Sequence, residues 1–467
     1  MQSRLLLQLS PGVSLQEDAG GILSVRFDGE ALVLGKFSAE ARRRATELET
    51  GLQIYPPLGG EAPEEEELLA AGRRLALHGL VEYRLSVDGT DIAIIEPQMR
   101  DYAPRLPNLD DSQQLALSRF AYLRRRGDDV VLESPRANAV VRLCDARLAS
   151  TIAGLSKPAS LAELHARPDF PGTEFIALLH DCEMVFAVVP EKGLRASEGD
   201  EALILWEFHD LLFHVRSTNG RHANPTGSLY AHSHLAPQPP TVRPSWPGAS
   251  IDLSKFPTAT DSPCAALLRA RRSSRVYDDR QPITIAQLAR LLDGAARIIA
   301  HRKLGGGDGE PPLDVAARPY PSGGASYELE LYLAVHKCDG LPRGFYHYDA
   351  DRHALVAIGA TDRQLDAVLQ DGKYAMGAPA PPQVLITMAA RFGRVSWKYS
   401  GFAYSLVLKH VGVVMQTLYL MTTEMELGAC AIGIGDIDLF SRMTGLPFHI
   451  EGAVGQIAIG SRAPDEE

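Results

Sequence analysis

The sequence predicts an α+β fold, in which short strands and helices follow one another in a β-rich N-terminal half and a long apolar helix marks the C-terminal half. Asp-Gly pairs at 28–29 and 88–89 stand beside alternating apolar segments, which is typical of β-hairpin turns. Residues 405–427 carry apolar side chains nearly all round a helix, which predicts a position in the protein centre or at a subunit interface. The proline-rich residues 237–247 predict a connector.

The composition narrows the class of protein. The chain has 467 residues, 45% hydrophobic and 22% charged, which is typical of a globular protein of roughly three domains. Its net charge of -11 argues against nucleic acid as a partner. The longest apolar runs, such as residues 184–189, are too short to span a bilayer, and we find no signal peptide. Five cysteines without a C-x-x-C pair favour a reducing compartment, so we expect a cytoplasmic protein without disulfides, zinc or membrane association.

Two N-terminal modules are predicted, at residues 1–105 and 113–190, and each repeats an order of short strands followed by helices. The first has predicted strands at 13–16, 23–27, 31–34, 81–85 and 91–95 and predicted helices at 38–48 and 64–77. The second has predicted strands at 120–124, 128–133, 139–143 and 184–189 and predicted helices at 146–155, 161–166 and 174–182. Small strands and short helices in this order are similar to a winged helix.

Three roles for these modules stay open. They are a packing scaffold, a DNA-binding element or a peptide-binding element. A winged helix that enters a DNA groove needs a basic face, and Arg124, Arg125 and Arg126 offer one, but Asp128 and Asp129 offset their charge. An exposed strand edge can instead capture an extended peptide by adding a strand to a sheet, and we prefer this peptide-binding role.

Residues 191–250 predict one helix and a connector. The apolar positions of residues 206–217 fit helical spacing better than alternation. Histidines stand at 209, 214, 222, 232 and 234. They form no pair at helical spacing and have no accompanying set of carboxylates, so we expect no metal site.

The candidate chemistry lies in the predicted C-terminal domain, residues 251–467. Arg271, Arg272, Ser273 and Arg275 place three guanidinium groups and a hydroxyl within five residues, on a connection between two helical segments. One guanidinium group can donate two parallel hydrogen bonds to the oxygens of a phosphate, and hydroxyl groups add further short hydrogen bonds. The segment therefore predicts a monophosphate site, although a solvated basic turn fits the residues equally well.

Two further patterns, a proline–glycine loop and an adjacent lysine and tyrosine, are candidates for ligand binding and proton transfer. Pro321, Ser322 and Gly323 begin a loop whose glycines allow the backbone to approach a flat ligand, although an ordinary turn also fits. Lys398 and Tyr399 set an amine beside a weak acid, and burial would lower the pKa of such a lysine until it serves as a base. Adjacent side chains can face one substrate only on an irregular segment or at the start of a helix. An exposed lysine beside a packed tyrosine is the alternative.

The long helix and the residues after it complete the candidate set. Gln416 is the one amide of residues 405–427 and needs a partner if it is buried. Residues 428–435 are mostly small, which would let backbone lie close to a ring. Within them, Cys430 is predicted to be a small core residue and not a nucleophile, because no neighbouring cation in the sequence would lower the pKa of its thiol.

Taken in order, these motifs resemble the flavin-dependent nitroreductase superfamily. They are R-R-S-S-R-x-Y, P-S-G-G-A-x-Y-E-L, G-F-Y-H-Y at 344–348, W-K-Y and L-G-A-C-A-I-G. Within it, the chain is most similar to the SagB/ThcOx-type dehydrogenases, which include the azoline oxidases of the cyanobactin and microcin pathways. The resemblance covers about residues 255–462 and implies an FMN domain whose mixed or antiparallel sheet is flanked by helices. The two N-terminal modules resemble those of cyanobactin oxidases.

The resemblance assigns roles to individual residues. The residues that match the family's contacts with the FMN phosphate and ribityl chain are Arg271, Arg272, Ser273 and Arg275, and Arg462 also matches a phosphate contact. Those that match the loop against the flavin are Pro321, Ser322 and Gly323, and Gln416 matches an amide directed at the ring. The backbone segment near the reactive ring nitrogen is matched by Ile432, Gly433 and Ile434. Lys398 and Tyr399 match the catalytic pair of azoline oxidases. Gly433 stands where nitroreductases commonly have an acidic residue, which weakens a simple nitroreductase interpretation.

The resemblance also implies an activity. A thiazoline or oxazoline ring in a ribosomally made peptide would lose a proton to Lys398 and a hydride to FMN, with Tyr399 positioning or polarising the ring. The product would be a thiazole or oxazole, with oxygen as the final acceptor. We expect a homodimer and a cyclodehydratase partner. The alternatives are an NAD(P)H-dependent nitro- or quinone reductase and a non-catalytic adaptor for a leader peptide in a heterocyclase complex.

Overall fold

The computed structural model describes residues 2–18, 20–56, 63–76, 78–99, 102–257, 262–305 and 311–463. The chain divides into two compact units, Met1–Ala223 and Asn224–Glu467. Residues 191–223, which the sequence assigned to the helix and connector segment, lie in the first unit. The finer division into two modules, a connector and a C-terminal domain stays a prediction.

The first unit is β-rich. Its strands are β1 (Ser3–Leu9), β2 (Ser14–Glu17), β3 (Ile22–Phe27), β4 (Glu30–Lys36), β5 (Leu52–Tyr55), β6 (Val81–Val87), β7 (Thr90–Pro97), β8 (Gln114–Leu117), β9 (Tyr122–Arg126), β10 (Asp129–Glu133), β11 (Ala139–Leu143), β12 (Ala159–Ser160) and β13 (Val185–Ala187). Its helices are α1 (Ala39–Arg44), α2 (Glu47–Thr50), α3 (Pro63–Ala76), α4 (Arg147–Gly154), α5 (Leu161–His165), α6 (Thr173–Asp181), α7 (Gly193–Ser197) and α8 (Phe208–Arg216). Two 3-10 helices, Pro190–Lys192 and Glu201–Leu205, accompany them.

A single sheet runs through both predicted modules. Its strand order is β5-β1-β6-β7-β11-β10-β9, so β7 of residues 1–105 pairs with β11 of residues 113–190. The predicted hairpin turns are confirmed, because Asp28 and Asp88 have φ of 48° and 49° and each is followed by a glycine with positive φ. The strands β1 and β5 were not predicted, since apolar runs without strict alternation resemble other elements. The winged-helix detail stays a prediction.

The arginine run of β9 is engaged within its own unit. Arg124 lies 2.6 Å from the buried carboxylate of Glu133, and Arg126 lies 2.6 Å from the half-buried carboxylate of Glu96. Burial alone would raise the pKa of Glu133, but hydrogen bonds from Tyr122 and Arg124 hold it below the ordinary value. These pairs use two of the three guanidinium groups that a DNA-binding face would need.

The second unit is α+β, as predicted. Its helices are α9 (Pro263–Ala270), α10 (Ile285–Ala296), α11 (Asp362–Met376), α12 (Gly393–Ser396), α13 (Ala403–Glu424) and α14 (Ile437–Thr444). Its strands are β14 (Ala300–Leu304), β15 (Leu313–Ala317), β16 (Leu329–Val335), β17 (Gly344–Asp349), β18 (Ala354–Ile358), β19 (Val384–Arg391), β20 (Leu427–Ile432) and β21 (Glu451–Ser461). Two 3-10 helices, Leu253–Lys255 and Gly323–Ala325, complete it.

A six-stranded sheet organises this unit in the order β18-β17-β16-β19-β21-β20, and each of its pairings is antiparallel. The helix α13 lies against β16, β20, β21 and α10. The start of α10 is fixed by a capping box, in which Thr284 and Gln287 satisfy each other's backbone amides. The sheet and α13 together hold the candidate site residues in place.

The described residues contain neither a membrane-crossing helix nor a metal-binding cluster. Nowhere in that part of the chain does a helix have the length and apolar character to cross a membrane. Among the same residues, histidine, cysteine and acidic side chains form no group that could hold a metal ion.

Candidate functional site

The basic segment, residues 271–275, has no regular secondary structure and lies beside the edge of the six-stranded sheet. The amide of Ser274 donates to the carbonyl of Ala429 in β20 over 2.8 Å, and Tyr277 pairs with Arg462 in an antiparallel bridge. Arg272 and Arg275 are exposed, whereas Ser274 is buried. The segment is therefore anchored by its backbone, and the structure brings the predicted phosphate contacts 271–275 and Arg462 together at one place.

A tyrosine of α13 ties the basic segment to β20. The Tyr419 hydroxyl lies 2.8 Å from Ser273 Oγ and accepts a hydrogen bond from the Ala431 amide over 2.7 Å. The Arg271 guanidinium lies 5.1 Å from the centre of the Tyr419 ring, within the range of a cation–π contact. Tyr419 was not predicted to belong to the site, because its role depends on contacts with residues more than ten positions away.

The end of β20 lies beside the basic segment and Tyr419 and has open space next to it. Ile432 is buried, Ile434 is half-buried and Gly433 is exposed. A Cβ added to Gly433 would meet no atom within 4 Å, so the space next to this backbone is open. We call residues 271–275, Tyr419, 432–434 and Arg462 the basic half-site.

The loop at residues 321–327 forms a second cluster, and its backbone is left-handed at three positions. The φ angles are 60° at Gly324, 54° at Ala325 and 42° at Tyr327. Such angles cost free energy at non-glycine residues and persist where the surroundings impose them. Ser322 Oγ accepts from the Tyr327 amide over 3.0 Å and so closes the loop.

Lys398 and Tyr399 converge on this loop. A Cβ added to Gly324 would lie 2.5 Å from Tyr399 Oη and 2.8 Å from Lys398 Nζ. Both residues follow the short helix α12, and both of their amides donate to the carbonyl of Val395. At this irregular helix end two adjacent side chains reach the same glycine, which is the arrangement that the sequence analysis required for a shared substrate.

The burial expected for Lys398 is not found within one chain. Lys398 is exposed and Tyr399 is half-buried, and the neighbouring Trp397 and Phe402 are 55% and 47% exposed. The fold of a single chain therefore leaves the amine at a surface that carries large aromatic side chains. We call residues 321–327, Lys398 and Tyr399 the loop half-site.

A buried histidine and glutamate lie against the loop half-site. His410 Nδ1 is 2.7 Å from Glu328 Oε1, and the Gly323 amide donates to His410 Nε2 over 2.7 Å. Neither residue was predicted to belong to the site. The motif P-S-G-G-A-x-Y-E-L does contain Glu328, so its acidic residue could have drawn attention.

The two half-sites flank the exposed face of α13. His410 and Tyr419 are nine residues apart, which places them about 180° apart around the helix and about 14 Å apart along it. Between them, Lys409, Gly412 and Gln416 are exposed on one side of α13. Gln416 therefore belongs to neither half-site within one chain and lies on the face between them.

The donor set of the basic half-site fits the phosphorylated end of FMN. Three guanidinium groups and the Ser273 hydroxyl lie on one anchored segment, which suits a dianionic phosphate. The open space beside Gly433 adds a place where a flat ring could lie against backbone. Residues 271–275 and Arg462 would hold the phosphate, and residues 432–434 would face the ring.

Comparisons with known proteins match the two units of the chain to two different family models. A family model described as the nitroreductase family matches residues 268–461, and one described as cyanobactin oxidase ThcOx matches residues 115–223. An inferred nitroreductase of Methanocaldococcus jannaschii is 30% identical over 167 residues, which cover 36% of this chain and 76% of that protein.

Solved structures give similar matches. An inferred nitroreductase of Ralstonia eutropha JMP134 is 24% identical with a TM-score of 0.34, over 48% of this chain and 97% of that one. The Escherichia coli microcin synthetase complex McbBCD, solved with truncated pro-MccB17 bound, is 18% identical with a TM-score of 0.39, over 57% of this chain and 97% of the matched chain.

Proposed function

The chain belongs to the nitroreductase family and is an FMN-dependent oxidoreductase, and from this we propose that it oxidises thiazoline or oxazoline rings in a ribosomally made peptide. The observation that carries the proposal is the convergence of Lys398 Nζ and Tyr399 Oη on Gly324. The match of residues 115–223 to the cyanobactin oxidase model supports the same substrate class.

Each residue of the pair has a distinct task in this reaction. Lys398, in its neutral form, accepts the proton from the ring carbon that becomes trigonal. The Tyr399 hydroxyl lies on the same side of Gly324 and can hydrogen-bond the ring heteroatom or the adjoining carbonyl. Bound FMN supplies the acceptor for the hydride, so that one proton and one hydride leave and an aromatic azole remains. Oxygen is the proposed final acceptor.

We propose that the active form is a homodimer whose site combines half-sites from two copies. The basic half-site and the loop half-site lie on opposite sides of α13, and the face between them is exposed. A second copy packed on this face would bring its own loop half-site toward the basic half-site of the first. The same contact would cover Trp397 and Phe402 and shield Lys398 from water.

We propose that the substrate is a heterocyclised peptide delivered by a cyclodehydratase partner. The first unit, with its cyanobactin oxidase match, is the proposed place for peptide binding. The cytoplasm is the proposed location.

Turnover of a heterocyclised peptide tests the proposal. The purified protein should be yellow and should lower the mass of an azoline peptide by about 2 Da per ring, the mass of the proton and hydride that leave. Lys398→Met and Tyr399→Phe should retain FMN and lower kcat, the lysine variant by about 10²–10⁴-fold. Lys373→Met, at a half-buried lysine of α11 outside both half-sites, is the matched control.

Two outcomes would favour the alternatives. Rapid NAD(P)H consumption with nitro or quinone acceptors, and none with azolines, would identify a reductase. A stable assembly with a cyclodehydratase that functions equally well with Lys398→Met would identify an adaptor.

A further inference from the structure

A buried His–Glu pair lies beneath the loop half-site, and the proposed reaction does not use it. His410 is 6% exposed and Glu328 is fully buried. His410 Nδ1 lies 2.7 Å from Glu328 Oε1, and His410 Nε2 lies 2.7 Å from the amide nitrogen of Gly323. The two residues are 82 positions apart in the sequence, so the fold alone brings them together.

The geometry fixes the direction of each hydrogen bond. A backbone amide can only donate, so His410 Nε2 accepts the bond from Gly323 and carries no proton. The neutral ring then has its proton on Nδ1 and donates it to Glu328. The carboxylate of Glu328 therefore selects the tautomer that can hold Gly323.

Glu328 is itself held on two sides. Its carbonyl accepts from the Arg391 amide over 2.9 Å, and its other carboxylate oxygen accepts from Ser322 Oγ over 3.4 Å. Ser322 Oγ in turn accepts from the Tyr327 amide. The His–Glu pair is thus linked to both ends of the left-handed loop. His410 holds the start of the loop at Gly323, and Glu328 is linked to its end by Ser322, which binds the Tyr327 amide.

We infer that Glu328 and His410 are positioning residues, which hold the loop in the left-handed conformation that seats Lys398 and Tyr399. The inference rests on the proposed function only in so far as Lys398 and Tyr399 act on substrate. The unfavourable backbone at Ala325 and Tyr327 needs outside support, and the His410 bond supplies it at the residue before Gly324. His410 acts through the loop and does not itself contact the reacting ring.

Three variants of α13 test this inference in the full-length protein with FMN. His410→Leu removes the acceptor for Gly323. His410→Gln keeps an acceptor and a donor on a side chain of similar reach. Thr417→Ala is the control, because the Thr417 hydroxyl donates to Val413 within the same helix.

The expected results separate positioning from general stability. In His410→Leu, hydrogen exchange at residues 321–327 should accelerate, and kcat should fall by roughly 10- to 100-fold with KM nearly unchanged. His410→Gln should recover much of both, and Thr417→Ala should change neither. Equal exchange in His410→Leu and the unaltered protein, or a glutamine variant as impaired as the leucine variant, would overturn the inference.

A measurement on the unaltered protein covers the case in which His410→Leu does not fold. The ¹⁵N signals of His410 should show an unprotonated Nε2 and a protonated Nδ1, with His410→Gln used for assignment. A protonated Nε2 would contradict the inference. Hydrogen exchange at residues 321–327 and the tautomer of His410 can both be measured without an azoline substrate. If the proposed function fails, these two measurements still test the positioning role separately.

Discussion

Replacing Gly324 with alanine should separate catalysis from stability in this protein. The added Cβ would lie 2.5 Å from Tyr399 Oη and 2.8 Å from Lys398 Nζ, whereas ordinary contacts begin near 3.5 Å. The tyrosine oxygen must therefore retreat by about 1 Å. The ends of two side chains can move at little cost in stability, but a misplacement of this size can lower a rate by about 100-fold. We expect kcat to fall by that order while the FMN content stays unchanged.

The backbone cost of the substitution needs its own control. Gly324 has φ of 60°, and an alanine in this left-handed region costs about 1–2 kcal/mol. Gly445, which ends α14, has φ of 75°, and a Cβ there would meet no atom within 4 Å. Gly445→Ala should therefore lose a similar free energy of unfolding and keep its kcat.

The assay is the azoline mass loss of about 2 Da per ring with FMN-saturated protein, combined with denaturant unfolding of both variants. Equal kcat in the two alanine variants would refute the assignment of Lys398 and Tyr399 to the reaction. A much larger loss of stability in Gly324→Ala than in Gly445→Ala would show that the loop cannot yield as described.

Three other predictions follow from the same structure. Arg271→Gln should weaken FMN binding by about 10- to 100-fold, because a hydrogen bond to a charged group contributes about 1.5–3 kcal/mol, and a titration of the apoprotein that shows unchanged affinity would contradict the basic half-site. A Cβ added to Gly412 would meet no atom of its own chain within 4 Å, so the Gly412→Arg variant should fold. Size-exclusion chromatography with light scattering should show that this variant is a monomer. A persistent dimer would exclude this face of α13 as the interface. Burial raises the pKa of Glu451, so the protonated form favours the folded state, and the stability that it contributes at low pH is lost as the pH rises through that raised pKa. Glu451→Gln keeps an acceptor for Tyr332, so its unfolding free energy relative to the unaltered protein should increase as the pH rises above about 4.5, and a flat difference would contradict the raised pKa.

Much of the second unit could be predicted from local sequence. The capped start of α10 after Thr284, the predicted helix at 405–427 that the structure places at Ala403–Glu424, and the strand after the P-S-G-G loop all depend on the spacing of neighbouring side chains. The ordered set of short motifs also identified the family, because each motif is contiguous in the chain. In contrast, residues 271–275 left a basic turn and a phosphate site equally open. The structure shows a segment that the Ser274 amide anchors to β20.

The sequence by itself determined the chemical inventory of this protein, namely an arginine-rich segment, a proline–glycine loop, and an adjacent lysine and tyrosine. Only the tertiary structure decided how they meet. The links Ser273–Tyr419 and Glu328–His410 join residues 146 and 82 positions apart. Such contacts depend on how α13 packs against the sheet, and no local spacing encodes them. Packing therefore placed Lys398 and Tyr399 over Gly324 and set the two half-sites on opposite sides of one helix.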